Sequence, residues 1–241
     1  MNMKQNKPIE LYYWPTPNGW KVSIMQEECN IPYILKPVNI GQGDQFKPKF
    51  LKISPNNRMP AIIDPYGPGG KSISIFESGA ILQYLGRKSG KFYPKNERSR
   101  VKVDEWIYWQ MCGLGPMAGQ AHHFRQYAPM KIKYAIKRYT DEVNRLYGVM
   151  DRQLKNNEYL AGRYSIADIA CWGWVIPWKN QGQKLSDFSN LKRWFEQVGK
   201  RSAVIKGFAA GKEMRKQLLS ENTKEAKRAK SILFNQRARK I

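Results

Sequence analysis

The pattern of hydrophobic and polar positions predicts a β-α-β unit at the start of the chain. Residues 9–14 (Ile-Glu-Leu-Tyr-Tyr-Trp) are rich in large apolar side chains, as expected of a strand that is buried on both faces. Over residues 20–29 the apolar positions recur at helical spacing, and Pro32 ends that helix. Residues 33–40 predict a second strand, at a sheet edge because Pro37 cannot donate a ladder hydrogen bond. A right-handed crossover makes the two strands parallel.

Two further strands and a helix complete a thioredoxin-like pattern. Residues 61–63 predict a short strand, 64–71 form a turn rich in glycine and proline, and 72–76 alternate between apolar and polar. These two strands should pair antiparallel, and residues 77–86 predict an apolar helix. The order β-α-β, loop, β-β-α is that of an α/β thioredoxin-like domain, which we place at residues 1–88.

Only helices are predicted beyond a break at residues 89–96, so we assign residues 98–211 to an all-α domain. Residues 101–112 predict a helix, which the sequence Gly-Leu-Gly-Pro at 113–116 should kink or end. Residues 134–154 have the strongest helical pattern, with an apolar stripe that predicts core packing. The stripe consists of Ile136, Tyr139, Val143, Leu146, Tyr147, Met150 and Leu154.

The sequence Ser-Ile-Ala-Asp at 165–168 is a capping box that precedes an apolar run. In this motif the Ser165 side chain accepts a hydrogen bond from a backbone amide in the first turn of the helix, and the Asp168 side chain accepts one from the backbone amide of Ser165. Asp168 therefore reads as a structural residue rather than a catalytic one. Two short helices are predicted at residues 191–198 and 204–210.

Charge is the most unusual feature of the composition, with 42 Lys and Arg against 19 Asp and Glu, a formal net charge of +23. Such a charge attracts nucleic acid, other acidic partners and small anionic ligands. Residues 212–241 alone carry ten Lys and Arg against three Glu, a net +7. This basic C-terminal extension is either a solvated helix or disordered end, or an anion-binding arm.

No apolar run approaches the roughly 20 residues that cross a membrane, and the first residues lack the apolar core of a secretory signal. We therefore expect a cytoplasmic protein without a membrane span. Cys29, Cys112 and Cys171 lie far apart without metal-like spacing and read as small hydrophobic residues. His122 and His123 are too few for a zinc site, so no metal is expected. The pair either lines the pocket of a second substrate or has a helix-surface or capping role.

The stretch Trp-Pro-Thr-Pro-Asn-Gly at 14–19 is the first candidate for chemistry. Thr16 suits the N-cap of the following helix, with Pro17 at its first position. The free amides of a helix N-terminus favour an anion, for which a thiolate is one candidate. The stretch contains no cysteine, so a thiolate used here must arrive on a ligand.

Glu77 and Ser78 form the second candidate, at the predicted start of another helix. A carboxylate, a hydroxyl and helix-terminal amides together can hold the free end of an amino acid. The ligand carboxylate would meet the amides and Ser78, and its ammonium would meet Glu77. An ordinary helix cap is the alternative.

Four motifs resemble the glutathione transferases in order and spacing. They are Tyr-x-x-Pro-Thr-Pro-Asn-Gly at 12–19, Ser-Pro-Asn-Asn-Arg-Met-Pro at 54–60, Phe-Glu-Ser-Gly-Ala-Ile at 76–81 and Ser-Ile-Ala-Asp at 165–168. The resemblance covers about residues 9–210. It implies the glutathione transferase fold, a homodimer, and glutathione as co-substrate.

Finer motifs resemble the bacterial Nu class of this family. They are Thr-Pro-Asn near the start, Gly-Leu-Gly-Pro-Met at 113–117, Gln-x-His-His-Phe at 120–124 and Tyr-Ala-Ile-x-Arg-Tyr at 134–139. Nu-class proteins are chiefly glutathione-dependent disulfide-bond reductases with weak transferase activity. The resemblance thus implies an enzyme that reduces disulfides or conjugates glutathione.

Residue roles follow from the resemblance by position. Thr16, helped by Asn18, would donate a hydrogen bond to the glutathione sulfur and lower its thiol pKa from ~8.5 toward neutrality. Glu77 and Ser78 would hold the γ-glutamyl group. Tyr12 and Tyr13 lie where a transferase tyrosine would, with aromatic core packing as the alternative.

The remaining glutathione contacts are also implied by position. Met59 precedes Pro60, a cis-proline in the family, and would offer backbone groups to the cysteinyl part. Gln45 and Arg58 would lie near the glycyl end. Arg138 would reach the ligand from its own or a partner subunit, or would be a solvated charge. A different hypothesis is a non-catalytic scaffold of this fold that binds nucleic acid or an acidic partner through its basic surface.

Overall fold

The computed structural model describes residues 7–217, 224–234 and 236. The chain forms two compact units. The N-terminal unit consists of the described residues up to Ile81 together with those from Lys206 onward, and the helical unit is Leu82–Ile205. Residues after Lys206 thus pack with the N-terminal unit although they follow the helical unit in sequence.

A four-stranded mixed sheet lies at the centre of the N-terminal unit. Its strands are β1 (Ile9–Tyr13), β2 (Tyr33–Pro37), β3 (Ala61–Asp64) and β4 (Ile73–Phe76), in the order β2-β1-β3-β4. β1 pairs parallel with β2 and antiparallel with β3, and β3 pairs antiparallel with β4. The thioredoxin-like arrangement and the edge position of β2 are confirmed.

β1 differs from its prediction in one respect. Its residues alternate between buried and partly exposed, so the strand is fully covered on one face only. Glu10 and Tyr12 share the partly exposed face, where the Tyr12 hydroxyl donates to a Glu10 carboxylate oxygen at 3.0 Å. A carboxylate on this face keeps it from being purely apolar.

The first three helices of the chain belong wholly or partly to the N-terminal unit. α1 (Pro17–Cys29) crosses from β1 to β2, α2 (Pro48–Leu51) is a single turn in the loop before β3, and α3 (Ser78–Ser89) begins directly after β4. α1 ends at Asn30, whose left-handed backbone (φ 54°) suits a C-cap. The starts of α1 and α3 are the two predicted ligand positions.

The helical unit contains no β-strand within the residues described. Its helices are α4 (Glu97–Trp109), α5 (Gly115–His122), α6 (Lys133–Leu154), α7 (Ile166–Val175) and α8 (Ser189–Gly199), and α9 (Ser202–Ala209) begins in it. The later part of the α6 stripe, from Val143 to Leu154, is buried as predicted. In the part of the chain that the structure covers, no helix is long and apolar enough to cross a membrane.

The predicted break at residues 113–116 is not an end of the helix. Gln110–Leu114 forms a π-helical turn that joins α4 to α5 without leaving helical geometry. Pro116 lies in the first turn of α5, where its missing amide hydrogen costs little. The chain therefore stays helical through this stretch by way of a π turn.

The capping box at α7 is present as predicted. Asp168 is fully buried and accepts hydrogen bonds from the backbone amides of Leu160 and Ser165, both at 3.0 Å, and from the Trp194 indole at 2.8 Å. Burial raises the pKa of the Asp168 carboxyl to about 6. Its hydrogen bonds join three segments of the helical unit, which is a structural role.

The C-terminal part of the N-terminal unit packs against α1 and β1. Ser23 Oγ donates to the Gly207 carbonyl at 2.7 Å, and the Tyr13 hydroxyl donates to the Ala210 carbonyl at 3.0 Å. Met214 packs on a core cluster that includes Trp14 and Met59. The start of the 212–241 extension is thus part of the fold rather than a solvated end.

Farther along the extension, α10 (Lys224–Phe234) carries exposed cationic side chains. Its Ile232 side chain lies close to Gly43, 3.7 Å from where a Cβ at that glycine would stand. The rest of the extension, including residues 237–241, lies outside the described residues. The anion-binding arm stays a prediction.

We expect Gly207→Ala to destabilise the protein. A Cβ at this position would stand 2.5 Å from Ile24 Cα and 2.6 Å from Ile24 N, so two backbones must separate. Overpacking of this kind costs about 1–3 kcal/mol, and the rigid neighbour favours the upper end. Gly148→Ala is the matched control, because its Cβ would meet only the mobile end of Arg152 and should gain roughly 0.5–1 kcal/mol. Equal unfolding free energies for the two variants, from urea denaturation, would contradict this packing.

Candidate active site

Thr16 is the N-cap of α1, as predicted. Its backbone is extended (φ −127°, ψ 165°) and its Oγ1 accepts a hydrogen bond from the Gly19 amide at 3.4 Å. Pro17 has no amide hydrogen, and the Trp20 amide donates to the Thr16 carbonyl. The amides of Gly19 and Trp20 thus both donate to Thr16, so fewer helix amides remain for an anion than the sequence predicted.

The Thr16 hydroxyl points at a sulfur atom. Its Oγ1 lies 3.8 Å from Met59 Sδ in donor geometry, although 43 residues separate the two in sequence. The Met59–Pro60 peptide bond is cis, as the family resemblance implies. Two motifs that the sequence singled out separately are thus in contact.

The hydroxyls of Tyr12 and Tyr13 on β1 both donate hydrogen bonds to other protein groups. Tyr12 donates to Glu10, and burial, together with this hydrogen bond, raises the pKa of its hydroxyl to about 12. Tyr13 donates to the Ala210 carbonyl at 3.0 Å. A transferase tyrosine must donate its hydroxyl to the thiolate, whereas both of these hydroxyls donate to acceptors within the protein.

Gln45 and Arg58 lie on the loops between β2 and β3, in different surroundings. Gln45 is 1% exposed and its amide donates to the Ile40 carbonyl, so it shapes its own loop. Its Oε1 has no hydrogen-bond partner among the described residues. Arg58 is exposed, and its carbonyl accepts from Ser54 Oγ at 2.8 Å. Contacts of these side chains with a glycyl end stay predictions.

Glu77 and Ser78 lie side by side where β4 leads into α3. Glu77 has a left-handed backbone (φ 66°), which is uncommon for a residue other than glycine. Its exposed carboxylate accepts a hydrogen bond from Asn56 Nδ2 at 2.9 Å. Ser78 is buried at the first position of α3. One charged group faces solvent, and one hydroxyl lies at a helix N-terminus.

Lys21 is a residue of this region that sequence reasoning missed. Its side chain is 1% exposed, and its Nζ lies 3.3 Å from Ser78 Oγ. The helical pattern of residues 20–29 gives no sign of this burial, since lysine is ordinarily solvent-exposed. Only the contact between α1 and α3 reveals it.

Arg138, His122 and His123 belong to the helical unit. Arg138 lies on α6 with its side chain 55% exposed, 3.8 Å from Glu142. His122 stacks on Tyr127, and burial lowers the pKa of its imidazole. The role of Arg138 toward a ligand and that of the two histidines in a substrate pocket stay predictions.

The cysteines carry no disulfide, and Cys29 and Cys171 are buried while Cys112 is exposed. None of them lies in the stretch that holds Thr16. Within the described residues, no group of three or more His, Cys, Asp or Glu side chains is arranged to hold a metal ion.

Comparison with known proteins identifies both halves of the chain. A family model described as the glutathione S-transferase N-terminal domain matches residues 7–87, and one for the C-terminal domain matches residues 117–201. The disulfide-bond oxidoreductase YfcG of Escherichia coli (strain K12) is 49% identical over 199 residues, which are 81% of this chain and 92% of the relative.

Solved structures agree with this match. A glutathione transferase family member from Pseudomonas fluorescens pf-5, with two glutathione molecules bound, is 41% identical with a TM-score of 0.80, covering 85% of this chain and 94% of that one. A glutathione transferase from Pseudomonas putida, with one glutathione disulfide bound per subunit, is 40% identical with a TM-score of 0.82, covering 86% and 94%. The chain is therefore an enzyme of the glutathione S-transferase family.

Proposed function

We propose that the protein reduces disulfides with the thiolate of bound glutathione, which the Thr16 hydroxyl stabilises. The observation that carries the proposal is the aim of that hydroxyl at a sulfur atom beside the cis-proline. A ligand sulfur that approached the same donor would replace the weak contact with Met59. A hydrogen bond from a neutral hydroxyl to a thiolate is charge-assisted and stronger than the contact it replaces.

The other contacts would fix the tripeptide around this sulfur. Glu77 would pair with the γ-glutamyl ammonium, and Ser78 with the start of α3 would receive its carboxylate. The backbone of Met59 would hold the cysteinyl part. Asn18 would add a second polar contact at the sulfur. Gln45, Arg58 and Arg138 are the proposed contacts for the rest of the ligand.

The reaction proceeds in two thiol–disulfide exchanges. The bound thiolate attacks one sulfur of a disulfide substrate, which forms a mixed disulfide with glutathione and releases the other sulfur as a thiolate. A second glutathione thiolate then attacks the glutathionyl sulfur. The products are glutathione disulfide and a second substrate thiolate. The related structures that hold two glutathione molecules, or one glutathione disulfide, support this sequence.

The proposal is tested by glutathione-dependent reduction of a small model disulfide, run beside conjugation of glutathione to an electrophilic aromatic halide. We expect disulfide reduction to exceed the rate with free glutathione and to exceed conjugation. A wild-type rate no faster than that of free glutathione would contradict the proposal.

Replacing the exposed cysteine should leave this activity intact. We expect Cys112→Ala to retain disulfide reductase activity within about twofold of wild type, because the nucleophile is the ligand's thiolate rather than a protein thiol. Cys29→Ala and Cys171→Ala provide the same test after correction for the folded fraction, since both side chains are buried. Loss of activity at constant folded fraction in any of the three would assign the nucleophile to the protein.

We also propose a homodimer that acts in the cytoplasm, where reduced glutathione is abundant. Cys29, Cys112 and Cys171 form no disulfide, which supports a reducing compartment. The scaffold hypothesis, in which the basic surface binds nucleic acid, has a separate test. It requires salt-sensitive retention on nucleic acid that is lost when residues 212–241 are removed.

A further inference from the structure

The buried contact between Lys21 and Ser78 has a function that goes beyond packing. Lys21 leaves the second turn of α1, and its Nζ lies 3.3 Å from the hydroxyl of Ser78 at the first position of α3. Both side chains are almost completely removed from solvent, at 1% and 5% exposure. Burying an ammonium group costs folding free energy unless the group is hydrogen-bonded or paired, and Ser78 Oγ accepts one hydrogen bond from it.

The chemistry of the two groups fixes the direction of their hydrogen bond. A lysine ammonium has three donors and no acceptor, so the Ser78 oxygen must accept from it. The hydroxyl hydrogen of Ser78 then points away from Lys21. An oxygen that accepts from a cation is also a better donor, because polarisation runs along a hydrogen-bond chain. A Ser78 hydroxyl that turned toward an anion would therefore be a strong donor.

The position of Ser78 supplies two further attractions for a negative group. It is the first residue of a twelve-residue helix, whose N-terminal amides and dipole favour an anion. The Lys21 charge lies directly behind the hydroxyl, where solvent does not screen it. The neighbouring Glu77 presents the opposite charge at the exposed side. The site can therefore distinguish the two charges of a free amino acid end.

We propose that Lys21 is a positioning residue for the α-carboxylate of the γ-glutamyl group of glutathione. It acts through Ser78, by holding that hydroxyl as a donor and by adding a buried positive charge behind it. The inference rests on the proposed function, because it assigns one charge of the same ligand. It gives α1 two tasks, one at the ligand sulfur through Thr16 and one at the ligand carboxylate through Lys21.

The test compares two ligands that differ only in this carboxylate. Glutathione and 4-aminobutanoyl-cysteinylglycine, which lacks the α-carboxylate and is otherwise the same tripeptide, are titrated calorimetrically into wild type and Lys21→Met. We expect Lys21→Met to bind glutathione about 10- to 100-fold more weakly, the usual effect of losing a charge-assisted hydrogen bond. Its affinity for the decarboxylated ligand should stay within about twofold of wild type.

Three further measurements separate positioning from folding. Lys36→Met, which removes a partly exposed lysine of the same unit, should leave both affinities unchanged. Lys21→Arg keeps the charge and should recover part of the preference for glutathione. In steady-state disulfide reduction, Lys21→Met should raise KM for glutathione and leave kcat within about twofold, as loss of ground-state binding does.

The role of Lys21 is overturned if Lys21→Met weakens the binding of both ligands equally. It is also overturned if the variant keeps the wild-type ratio of the two affinities. Lys21→Gln is measured in the same way, so that unfolding of the methionine variant still leaves a result. A wild type that does not bind glutathione at all would instead contradict the proposed function. Suppose instead that the wild type binds glutathione more tightly than the decarboxylated ligand and that the Lys21 variant shows the same difference. That result would contradict the role of Lys21 and leave the proposed function intact.

Discussion

Thr16→Ala should lower the rate of glutathione-dependent disulfide reduction by about 10- to 100-fold, the usual effect of removing a hydrogen bond to a charged group. The hydroxyl is the donor that the structure aims at a sulfur atom, while Tyr12 and Tyr13 are committed to Glu10 and the Ala210 carbonyl. The loss should appear in kcat/KM at neutral pH and shrink at high pH, where glutathione ionises without help.

Thr16→Ser is the matched control, because it keeps both the donor and the N-cap. Thr16→Ala also removes the cap of α1, which costs about 1 kcal/mol of stability, so rates are compared at equal folded fraction. We expect the serine variant to retain most of the wild-type rate and Asn18→Ala to show a smaller loss than Thr16→Ala. If the alanine and serine variants at position 16 behave alike, the hydroxyl is not the donor.

Asp168→Ala should reduce the free energy of unfolding by roughly 3–5 kcal/mol, because several buried donors lose their acceptor at once. The amides of Leu160 and Ser165 and the indole of Trp194 all donate to this carboxylate, which is fully buried. Thermal or urea denaturation measures the loss. Disulfide reduction by the folded fraction should keep the wild-type kcat, since the carboxylate is structural.

Asp141→Ala serves as the control for an aspartate on the surface of the same unit. Its carboxylate is 57% exposed and pairs with Lys137, so its removal should cost about 1 kcal/mol or less. A stability loss at Asp168 no larger than that at Asp141 would contradict the buried network. A kcat that falls while the protein stays folded would reopen a catalytic role for Asp168.

Local patterns in the sequence predicted much of this structure. The Thr16 cap and the Ser165–Asp168 box depend on residues within one helical turn of each other, so their spacing alone identifies them. The edge position of β2 followed from Pro37, which cannot donate to a further strand. The pairing of β3 with β4 followed from alternation on either side of a glycine-rich turn.

Contacts between residues far apart in the sequence could not be predicted from local patterns. The burial of Lys21 depends on where α3 begins, and the packing of Met214 on Trp14 and Met59 joins segments about 150 to 200 residues apart. Neither leaves a periodic signal along the chain. The π-helical turn before Pro116 was missed for a different reason, because a proline near glycine ordinarily ends a helix and here only widens one turn.

In the candidate site, too, local sequence patterns predicted some features, and only the folded structure revealed the others. The starts of α1 and α3 were recognisable from residue type and order, and the contact of Thr16 with Met59 now joins the first of them to the cis-proline. The sequence could not show which acceptors the hydroxyls of the two β1 tyrosines use, because one acceptor is a backbone carbonyl near the end of α9. Because both tyrosine hydroxyls have acceptors within the protein, we propose Thr16 as the donor to the ligand sulfur.

The most direct test of the account is the thiol pKa of bound glutathione, followed by the ultraviolet absorbance of the thiolate during a pH titration. The protein should carry Cys→Ala at positions 29, 112 and 171, so that only the ligand's thiol titrates. We expect wild-type Thr16 to lower this pKa from its usual ~8.5 toward neutrality, and Thr16→Ala to return it most of the way. If the bound thiol titrates like free glutathione in both proteins, that result contradicts the claim that the enzyme activates the thiol of bound glutathione.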